Sequence, residues 1–464
     1  MIFSSFQFLT FFLIIIALLI VLPARYRKYL LIAASYYFYA AWDYRFTALI
    51  FTSTIIDFIV GRLLHQTEDD RKRKLLLIVS IAANLGFLGF FKYYNFFIDS
   101  ASMLFSQWGL GVTNLNIILP VGISFYTFQT MSYTIDIYRR VLKPVDSFAD
   151  FAFFVAFFPQ LVAGPIVRAA DFLPQLKTPI RIQGANVWVG SQIFIIGLFK
   201  KLMIADAVAP FVDGVYAYPE YYSSVTVWLA IVAYALQIYC DFSGYSDMAI
   251  GCARILGFHF NRNFYMPYLS QNLTEFWRRW HISLSSWLRD YLYISLGGNR
   301  KGPIRTYVNL MITMVLGGLW HGASWNFIIW GTMHGAGLST HRMWQSRSVD
   351  KSPQTKFLSW LFTFLFVILV WVLFRAQDTA TMLTMYSKAF FFNSGGATWY
   401  YSAVFWAVGW TILGHIVGVL RGEEELVFLP SPYSFRAAFA VMTILIIIYV
   451  FAPTGVSPFI YFQF

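Results

Sequence analysis

One histidine is distinguished by the residues around it. His321 lies in the run GGLWHG at positions 317–322, at the junction of two apolar stretches. Histidine is the side chain best suited to take up a proton near neutral pH. Small residues let helices and ligands approach the backbone closely. The sequence therefore predicts a general base at His321, and Trp320 beside it is a predicted substrate-binding residue.

A second histidine, His281, ends a cluster of charged and aromatic residues, the run EFWRRWH at 275–281. With the residues up to Leu288, this run predicts an amphipathic helix at the membrane surface, its tryptophans on one stripe and its basic side in water. Glu275 would pair with Arg278 and Arg279, three and four residues further on. Such a helix accounts for the arginines and tryptophans but not for the histidine. His281 is therefore either a satisfied polar group or a site residue.

Two carboxylates lie near the end of an apolar helix, in the run QIYCDFSGYSD at 237–247. Ionisable groups inside spans cost about 2.5–3.5 kcal/mol each on insertion scales, so each needs a reason. On a continuous helix Asp241 points about 120° away from Asp247, so the two acids are not expected to pair. Hydrogen bonding to neighbouring helices, contact with substrate and proton relay all stay open. The predicted substrate-binding residues are Arg278, Arg279, Trp280, Asp241, Asp247 and Trp320.

The remaining histidines and the cysteines do not predict a metal site. His334 and His341 are seven residues apart, about 10 Å along a helix, which is too far for them to share one zinc ion. The chain has no His-x-x-x-His or Cys-x-x-Cys pattern. It also lacks a Gly-x-Ser-x-Gly elbow and a P-loop, so hydrolase and ATPase functions have no motif behind them. Cys240 and Cys252 are expected to be small buried thiols.

The elements that must position these residues are membrane helices. The chain is 58% hydrophobic and 12% charged, with a mean hydropathy of +0.60, whereas soluble domains carry about 25% charged residues. We predict an all-α polytopic membrane protein with roughly 10–12 spans and additional re-entrant and interfacial helices around a central cavity. Residues 1–464 read as one domain, without a soluble head. Apolar runs occur at Phe3–Leu22, Leu75–Phe91, Ile117–Ile135, Val187–Phe199, Val225–Cys240, Tyr307–Trp320, Trp325–Leu338, Phe357–Phe374, Tyr401–Leu420 and Ala437–Phe451.

Two interrupted stretches add detail to this topology. Tyr29–Val60 is too long for one crossing and carries the run WDYR at 42–45, which predicts a tight hairpin of two short helices. Phe148–Arg168 is broken by Pro159 and by Gly164-Pro165, with basic residues on both sides. This pattern predicts a re-entrant element, because irregular backbone at membrane depth is tolerated only against protein or a water-filled cavity.

The net charge of +12 has its explanation in the topology. Basic residues cluster at the ends of apolar runs, as the positive-inside rule expects, so anionic lipid is the expected partner and nucleic acid is not. This placement puts the N-terminus outside. It also puts the segments before Tyr307 and after His341 on the cytoplasmic side. His321 would then lie near a turn toward the outer half of the membrane.

The same runs carry a resemblance to a known family. FWRRWHISLS at 276–285, followed some forty residues later by LWHG at 319–322, resembles the membrane-bound O-acyltransferase (MBOAT) family. DFSGYSD at 241–247 and the start MIFSS resemble its alginate O-acetyltransferase branch, which includes relatives that acetylate peptidoglycan, cellulose and other exopolysaccharides. The resemblance covers essentially the whole chain, and the combined motifs are specific.

The resemblance implies a mechanism in a bacterial inner membrane. It implies that acetyl-CoA, the expected donor, is engaged from the cytoplasm, and that the acetyl group reaches an extracytoplasmic polysaccharide such as alginate through the protein. It implies that His321 is essential and that His281 is its companion. It further implies a periplasmic partner of the SGNH-hydrolase type, and no bound cofactor. The alternative, a transporter or flippase, predicts pseudo-symmetric repeats with matching broken helices, and none is visible in the sequence.

Overall fold

The structure, a computed structural model, describes residues 1–107, 115–162, 164–345, 352–392, 395–422, 435–453 and 458–462. Within these ranges the secondary structure is helical, apart from one isolated bridge between Tyr222 and Ala397. The helices are α1 (Phe6–Val21), α2 (Ala24–Ala40), α3 (Thr47–Gln66), α4 (Asp70–Leu88), α5 (Tyr94–Gln107), α6 (Ile123–Tyr138), α7 (Phe148–Ala156), α8 (Phe158–Leu161), α9 (Ala169–Phe172), α10 (Gly184–Phe199), α11 (Asp206–Ala217), α12 (Ser224–Ile255), α13 (Leu273–Arg279), α14 (Ile282–Trp287), α15 (Gly302–His321), α16 (Trp325–Gln345), α17 (Pro353–Arg375), α18 (Thr379–Phe390), α19 (Ser402–Arg421) and α20 (Phe435–Phe451).

Several of these helices are long and apolar enough to cross a bilayer. By length and composition, five helical stretches of the described chain qualify as candidate spans: Tyr44–Gln66, Asp70–Ser102, Ser224–Ile255, Pro353–Arg375 and Ser402–Leu420. The helices α1 and α20 are apolar but shorter. About 20 apolar residues cross the hydrocarbon core of a bilayer. The prediction of an all-α, multi-pass membrane protein is confirmed.

The chain divides into two compact units, of which the first comprises residues 1–190 and 252–261. The predicted hairpin at 29–60 is present, although its helices α2 and α3 are 17 and 20 residues long rather than short. Between them, the Asp43 carboxylate accepts a hydrogen bond from the Arg45 backbone N–H and pairs with its guanidinium at 2.6 Å. This local cap fixes the turn, since it satisfies a donor that the following helix leaves unpaired.

The stretch predicted to be re-entrant, Phe148–Arg168, also lies in the first unit. It contains only short helices, α7 and α8, of nine and four residues. Neither is long enough to cross a bilayer. The phenylalanines at positions 151–158 are buried, and Phe153 and Phe157 pack on Phe258 with ring centroids 5.5 and 4.9 Å apart. The apolar run is interrupted, as its prolines and glycine indicate, and the re-entrant path stays a prediction.

The second unit, residues 191–251 and 262–464, contains the predicted site residues. Two close helix approaches organise it. The helices α15 and α16 form a hairpin with extensive mutual contact, joined by residues 322–324. On another side, a Cβ added to Gly197 would lie 2.5 Å from the Gly244 carbonyl oxygen, so α10 and α12 meet backbone to backbone. Glycine permits such approaches because it has no side chain.

Candidate active site

The hairpin of α15 and α16 positions His321. This residue is the last of α15, and Gly322 directly after it has extended backbone. A Cβ on Gly318 would collide with the Phe327 carbonyl oxygen, and one on Gly331 with the Met314 carbonyl oxygen. The glycines around the histidine therefore set how closely the two helices pack. The turn predicted near His321 is present, and the small residues serve mainly helix–helix contact.

Aromatic rings surround the His321 imidazole, which is 4% exposed. The ring centroids of Trp320, Trp330 and Phe374 lie 5.1, 5.0 and 5.2 Å from it, each nearly perpendicular to it. Tyr461 adds a fourth ring at 5.5 Å. Such walls exclude water, and in a medium of low dielectric constant the interactions between polar groups are stronger than in solvent. Trp320, a predicted substrate-binding residue, lies directly against the candidate base.

His281 is presented by a break between two short helices. The helix α13 ends at Arg279, α14 begins at Ile282, and His281 between them has left-handed backbone with φ of +42°. Asn263 holds this break. Its carbonyl oxygen accepts from the Ile282 N–H at 2.8 Å, and its side-chain oxygen accepts from the N–H and hydroxyl of Ser283 at 3.1 and 2.9 Å. These bonds stabilise a backbone conformation that few non-glycine residues adopt.

The His281 side chain is fully buried and close to His321. Its ring centroid lies 4.5 Å from that of Phe242, 6.0 Å from that of Trp320 and 6.5 Å from that of His321. His281 is outside the five candidate spans. Burial lowers the pKa of its imidazole to about 3, so the side chain is neutral at physiological pH. The structure thus brings two histidines from separate motifs into one aromatic cluster, which we call the histidine cluster (His281, His321, Trp320, Trp330 and Phe374).

The break also corrects one sequence-based expectation. A single amphipathic helix was predicted over the tryptophan run, with its aromatic face toward lipid. Instead the helix is interrupted, and the stripe residues are all buried within protein. Helical spacing continues through the break, which is why periodicity alone predicts one helix. The buried stripe consists of Trp277, Trp280, Leu284, Trp287 and Leu288.

The predicted substrate-binding residues of this run have different surroundings. Arg278 is exposed. Arg279 pairs with Glu275 at 2.7 Å, as predicted for the i+4 position, and lies over the Tyr265 ring. Trp280 is 1% exposed and packs among aromatic rings, including Trp371 at 4.9 Å. Of the three, Arg278 is therefore the side chain that solvent or a soluble ligand can most readily reach.

Both acids of α12 form ion pairs, with lysines that the sequence did not single out. Asp247 pairs with Lys200 at 2.7 Å. Asp241 pairs with Lys201 at 2.6 Å, and Lys201 also pairs with Asp206 at 2.7 Å. The two lysines belong to a π-helical stretch at 200–205 that follows Gly197. As expected, the acids point in different directions, and the adjacent lysines satisfy them separately. The sequence feature that could have indicated these lysines is the apolar run Val187–Phe199, which is followed directly by Lys200 and Lys201.

A segment that sequence reasoning missed completes the surroundings of the histidines. Pro458–Phe462, here called the aromatic segment, lies beside α12. Phe459 packs on Tyr245 and Tyr461 on Phe242, with centroids 4.6 and 4.5 Å apart. The Ile460 N–H donates to Asp241 at 2.8 Å. The run PFIYF at 458–462 was visible, but its contacts are with residues far away in the sequence.

A third histidine lies behind the cluster. His334, on α16, is fully buried, and its centroid is 4.6 Å from that of Trp330 and 5.2 Å from that of Trp277. Neither ring nitrogen has a hydrogen-bond partner in the part of the chain that the structure describes. Within the same residues, no group of three or more His, Cys, Asp or Glu side chains could hold a metal ion. Cys240 and Cys252 are free and buried, as predicted.

Comparison with known proteins identifies the class of enzyme. The pattern described as MBOAT, membrane-bound O-acyltransferase family, matches residues 138–377, which include both clustered histidines. The chain belongs to the membrane-bound O-acyltransferase family.

Individual relatives refine this result. A probable alginate O-acetylase AlgI of Azotobacter vinelandii is 45% identical over 85% of this chain and 79% of its own length. The corresponding protein of Pseudomonas aeruginosa PAO1 is 43% identical over 92% and 82%. A peptidoglycan O-acetyltransferase of Helicobacter pylori is 40% identical over 77% and 72%. The predicted alginate O-acetyltransferase branch and the predicted activity, membrane O-acetyl transfer, are confirmed.

Proposed function

We propose that this protein takes acetyl groups from acetyl-CoA at the cytoplasmic face of a bacterial inner membrane. In this proposal it delivers them to a periplasmic partner of the SGNH-hydrolase type, which acetylates an envelope polysaccharide such as alginate. The whole chain, residues 1–464, acts as one functional domain. The observation that carries the proposal is the histidine cluster, which joins the two motif histidines in a buried, aromatic-walled environment. Relatives named for acetylating alginate and peptidoglycan support a polysaccharide acceptor.

His321 is the proposed general base. An acceptor hydroxyl attacks the thioester carbonyl carbon as its proton passes to the imidazole. The new C–O bond forms, the C–S bond breaks, and the proton leaves with the thiolate as free thiol. A positioned base contributes typically about 10²–10⁴-fold to the rate. The surrounding rings of Trp330 and Phe374 support this assignment, because they keep bulk water away from the reacting atoms.

His281 is proposed to orient the reacting groups rather than to carry charge. A neutral imidazole has one N–H donor and one acceptor nitrogen. Its N–H can support the thioester carbonyl oxygen as negative charge develops there, and such donors are worth more in a dry site than in water. The lowered pKa supports this role, since His281 keeps the neutral form across the physiological range.

The other predicted binding residues are assigned by their surroundings. Arg278, exposed beside the buried motif, is proposed to meet the phosphates of the donor, because arginine matches phosphate geometry well. Trp320 contributes a wall of the acetyl site. The ion-paired Arg279, Asp241 and Asp247 and the packed Trp280 are proposed to hold the site in shape.

Membrane vesicles of defined orientation test the direction of transfer. Vesicles containing the protein receive acetyl-CoA with a radiolabelled acetyl group, either outside or sealed inside, with the purified partner or polysaccharide on the opposite side. The proposal predicts label on the acceptor only when acetyl-CoA meets the cytoplasmic face. Transfer with donor and acceptor on the same side, or equal transfer by vesicles that lack the protein, would overturn the proposed direction.

A further inference from the structure

A cluster of three charges in the second unit is almost entirely buried. The side chains of Lys201, Asp206 and Asp241 are 1%, 3% and 3% exposed, and the lysine ammonium contacts both acids. Burying charges is expensive, and the cost is offset only when the remaining hydrogen-bonding capacity is also satisfied. Two carboxylates facing one ammonium leave an excess of acceptor oxygens. A further donor aimed at either carboxylate would offset part of this excess.

One such donor belongs to the aromatic segment. The Ile460 N–H donates to Asp241 Oδ2 at 2.8 Å, while Asp241 Oδ1 faces Lys201 at 2.6 Å. The two oxygens of one carboxylate thus connect the buried lysine to the backbone of Pro458–Phe462. Ile460 is 4% exposed, so water does not compete strongly for this bond. A bond to a charged acceptor is stronger than one between neutral groups.

The residues on either side of Ile460 connect this hydrogen bond to α12 and to the histidine cluster. Phe459 lies against Tyr245 on α12. Tyr461, on the other side, lies 5.5 Å from His321 and 5.8 Å from Phe374 between ring centroids. Ile460, which donates to Asp241, is therefore the direct neighbour in the chain of Tyr461, whose ring lies beside His321.

We propose that Asp241 is a positioning residue, which through the Ile460 N–H holds Tyr461 against His321. Lys201 orients the Asp241 carboxylate, and Asp206 holds the Lys201 ammonium from a second direction. The placement of the segment rests on contacts alone, whereas the effect on catalysis rests on the proposed function of His321. Asp247 on the same helix provides the matched comparison, because it also pairs with a lysine, Lys200, but on a different side of α12.

Cysteine accessibility tests the placement without any assay of activity. Ile460→Cys keeps the backbone N–H, and the native cysteines Cys240 and Cys252 are buried. In the full-length protein in membranes, a maleimide reagent should label Ile460→Cys slowly. Adding Asp241→Asn or Asp241→Ala should speed the labelling by about tenfold or more, the scale of one hydrogen bond to a charged group. Adding Asp247→Asn should leave it slow. Equal labelling rates with and without Asp241 would overturn the proposal.

A double-mutant cycle then tests the bond itself. Ile460→Pro removes the N–H that Asp241 accepts, at a position that begins a short 3₁₀ turn, where proline is tolerated. Ile460→Ala is the control that keeps the N–H. We expect Ile460→Pro and Asp241→Ala each to lower kcat more than they raise KM for acetyl-CoA, and the double variant to be no worse than the poorer single one.

The controls distinguish the two proposals. When Ile460→Pro is combined with Asp247→Asn, the fold losses of kcat should multiply, because those two residues do not share the bond. If the fold losses of kcat also multiplied when Ile460→Pro is combined with Asp241→Ala, the positioning role would be overturned. If labelling responds to Asp241 but His321→Ala remains active, the positioning of the segment stands and the proposed function of His321 fails.

Discussion

Two buried polar regions of this protein are built in opposite ways. In the first unit, Asp57 is fully buried between helices α3, α4 and α6, and hydrogen-bonding groups surround it. Ser80 donates to it at 2.5 Å and Asn84 at 2.8 Å, while Ser53 and Thr130 donate to the Asn84 oxygen at 2.9 and 3.2 Å. In the second unit, the histidine cluster has aromatic rings as its walls.

The difference indicates what each region does. A polar network whose members satisfy one another stabilises helix packing where lipid offers no hydrogen bonds. Rings around an imidazole exclude water, so that polar groups which react beside it interact in a medium of low dielectric constant. The Asp57 network is therefore expected to govern stability and the histidine cluster to govern catalysis. Substitutions in the two regions should separate these two properties.

The largest effect is expected for His321→Ala. Loss of the proposed base should lower the rate of acetyl transfer by about 10²–10⁴-fold, with little change in thermal stability. The measurement is the turnover of labelled acetyl-CoA by membranes that contain equal amounts of folded protein. An activity within a few-fold of the wild type would remove His321 from the mechanism.

A smaller loss of activity, about 10–100-fold, is expected for His281→Gln, the scale of one hydrogen bond to a charged group. The pH dependence adds a second test. Burial lowers the pKa of His281 from 6.5 to about 3, so folding favours the neutral imidazole and stability is lost as pH falls below about 6.5. Between pH 6.5 and 5, the melting temperature of the wild type should therefore fall more steeply than that of His281→Gln. Parallel melting curves would contradict the buried neutral state.

The stability side of the comparison is tested by Asn84→Leu. This change removes one hydrogen bond each from Asp57, Ser53 and Thr130, and a buried polar group left unsatisfied costs about 1–3 kcal/mol. We expect a lower melting temperature in detergent, with unchanged turnover per folded molecule. Leu85→Ala, a largely exposed neighbour on the same helix, is the control and should change little. A loss of turnover without a loss of stability would show that the network also serves catalysis.

The smallest effect is expected for Arg278→Ala. An exposed arginine that meets donor phosphates should alter binding, so KM for acetyl-CoA should rise by about two- to fivefold with kcat unchanged. The rise should shrink at high salt. Arg289→Ala, which removes another largely exposed arginine, controls for the change in surface charge. The same rise in both variants would show a general charge effect rather than a phosphate contact.

The features of the fold and of the candidate site that the sequence predicts are local ones. The turn near His321 follows from glycines between apolar runs, and the Glu275–Arg279 pair follows from helical spacing. The multi-pass helical class follows from composition together with the number and length of the apolar runs.

The remaining features depend on distant contacts. The helix break at His281 is held by Asn263, whose bonds reach across loops that periodicity does not describe. The lysine partners of Asp241 and Asp247 come from another helix, brought close by Gly197. The aromatic segment lies more than one hundred residues from the motifs that it contacts. The sequence pattern indicates which residues can form such contacts, but it does not predict which distant residues they contact.

His321 acts as the base in the proposed mechanism, and a matched pair of histidine variants tests this role. His321→Gln and His334→Gln each replace a buried imidazole that contacts Trp330. Both variants are purified, and their turnover of acetyl-CoA is compared per folded molecule after their melting temperatures have been measured. Turnover should fall at least about 100-fold for His321→Gln and stay within a few-fold of the wild type for His334→Gln. Equal losses of turnover in the two variants, or no loss of turnover for His321→Gln, would contradict the role of His321 as the base.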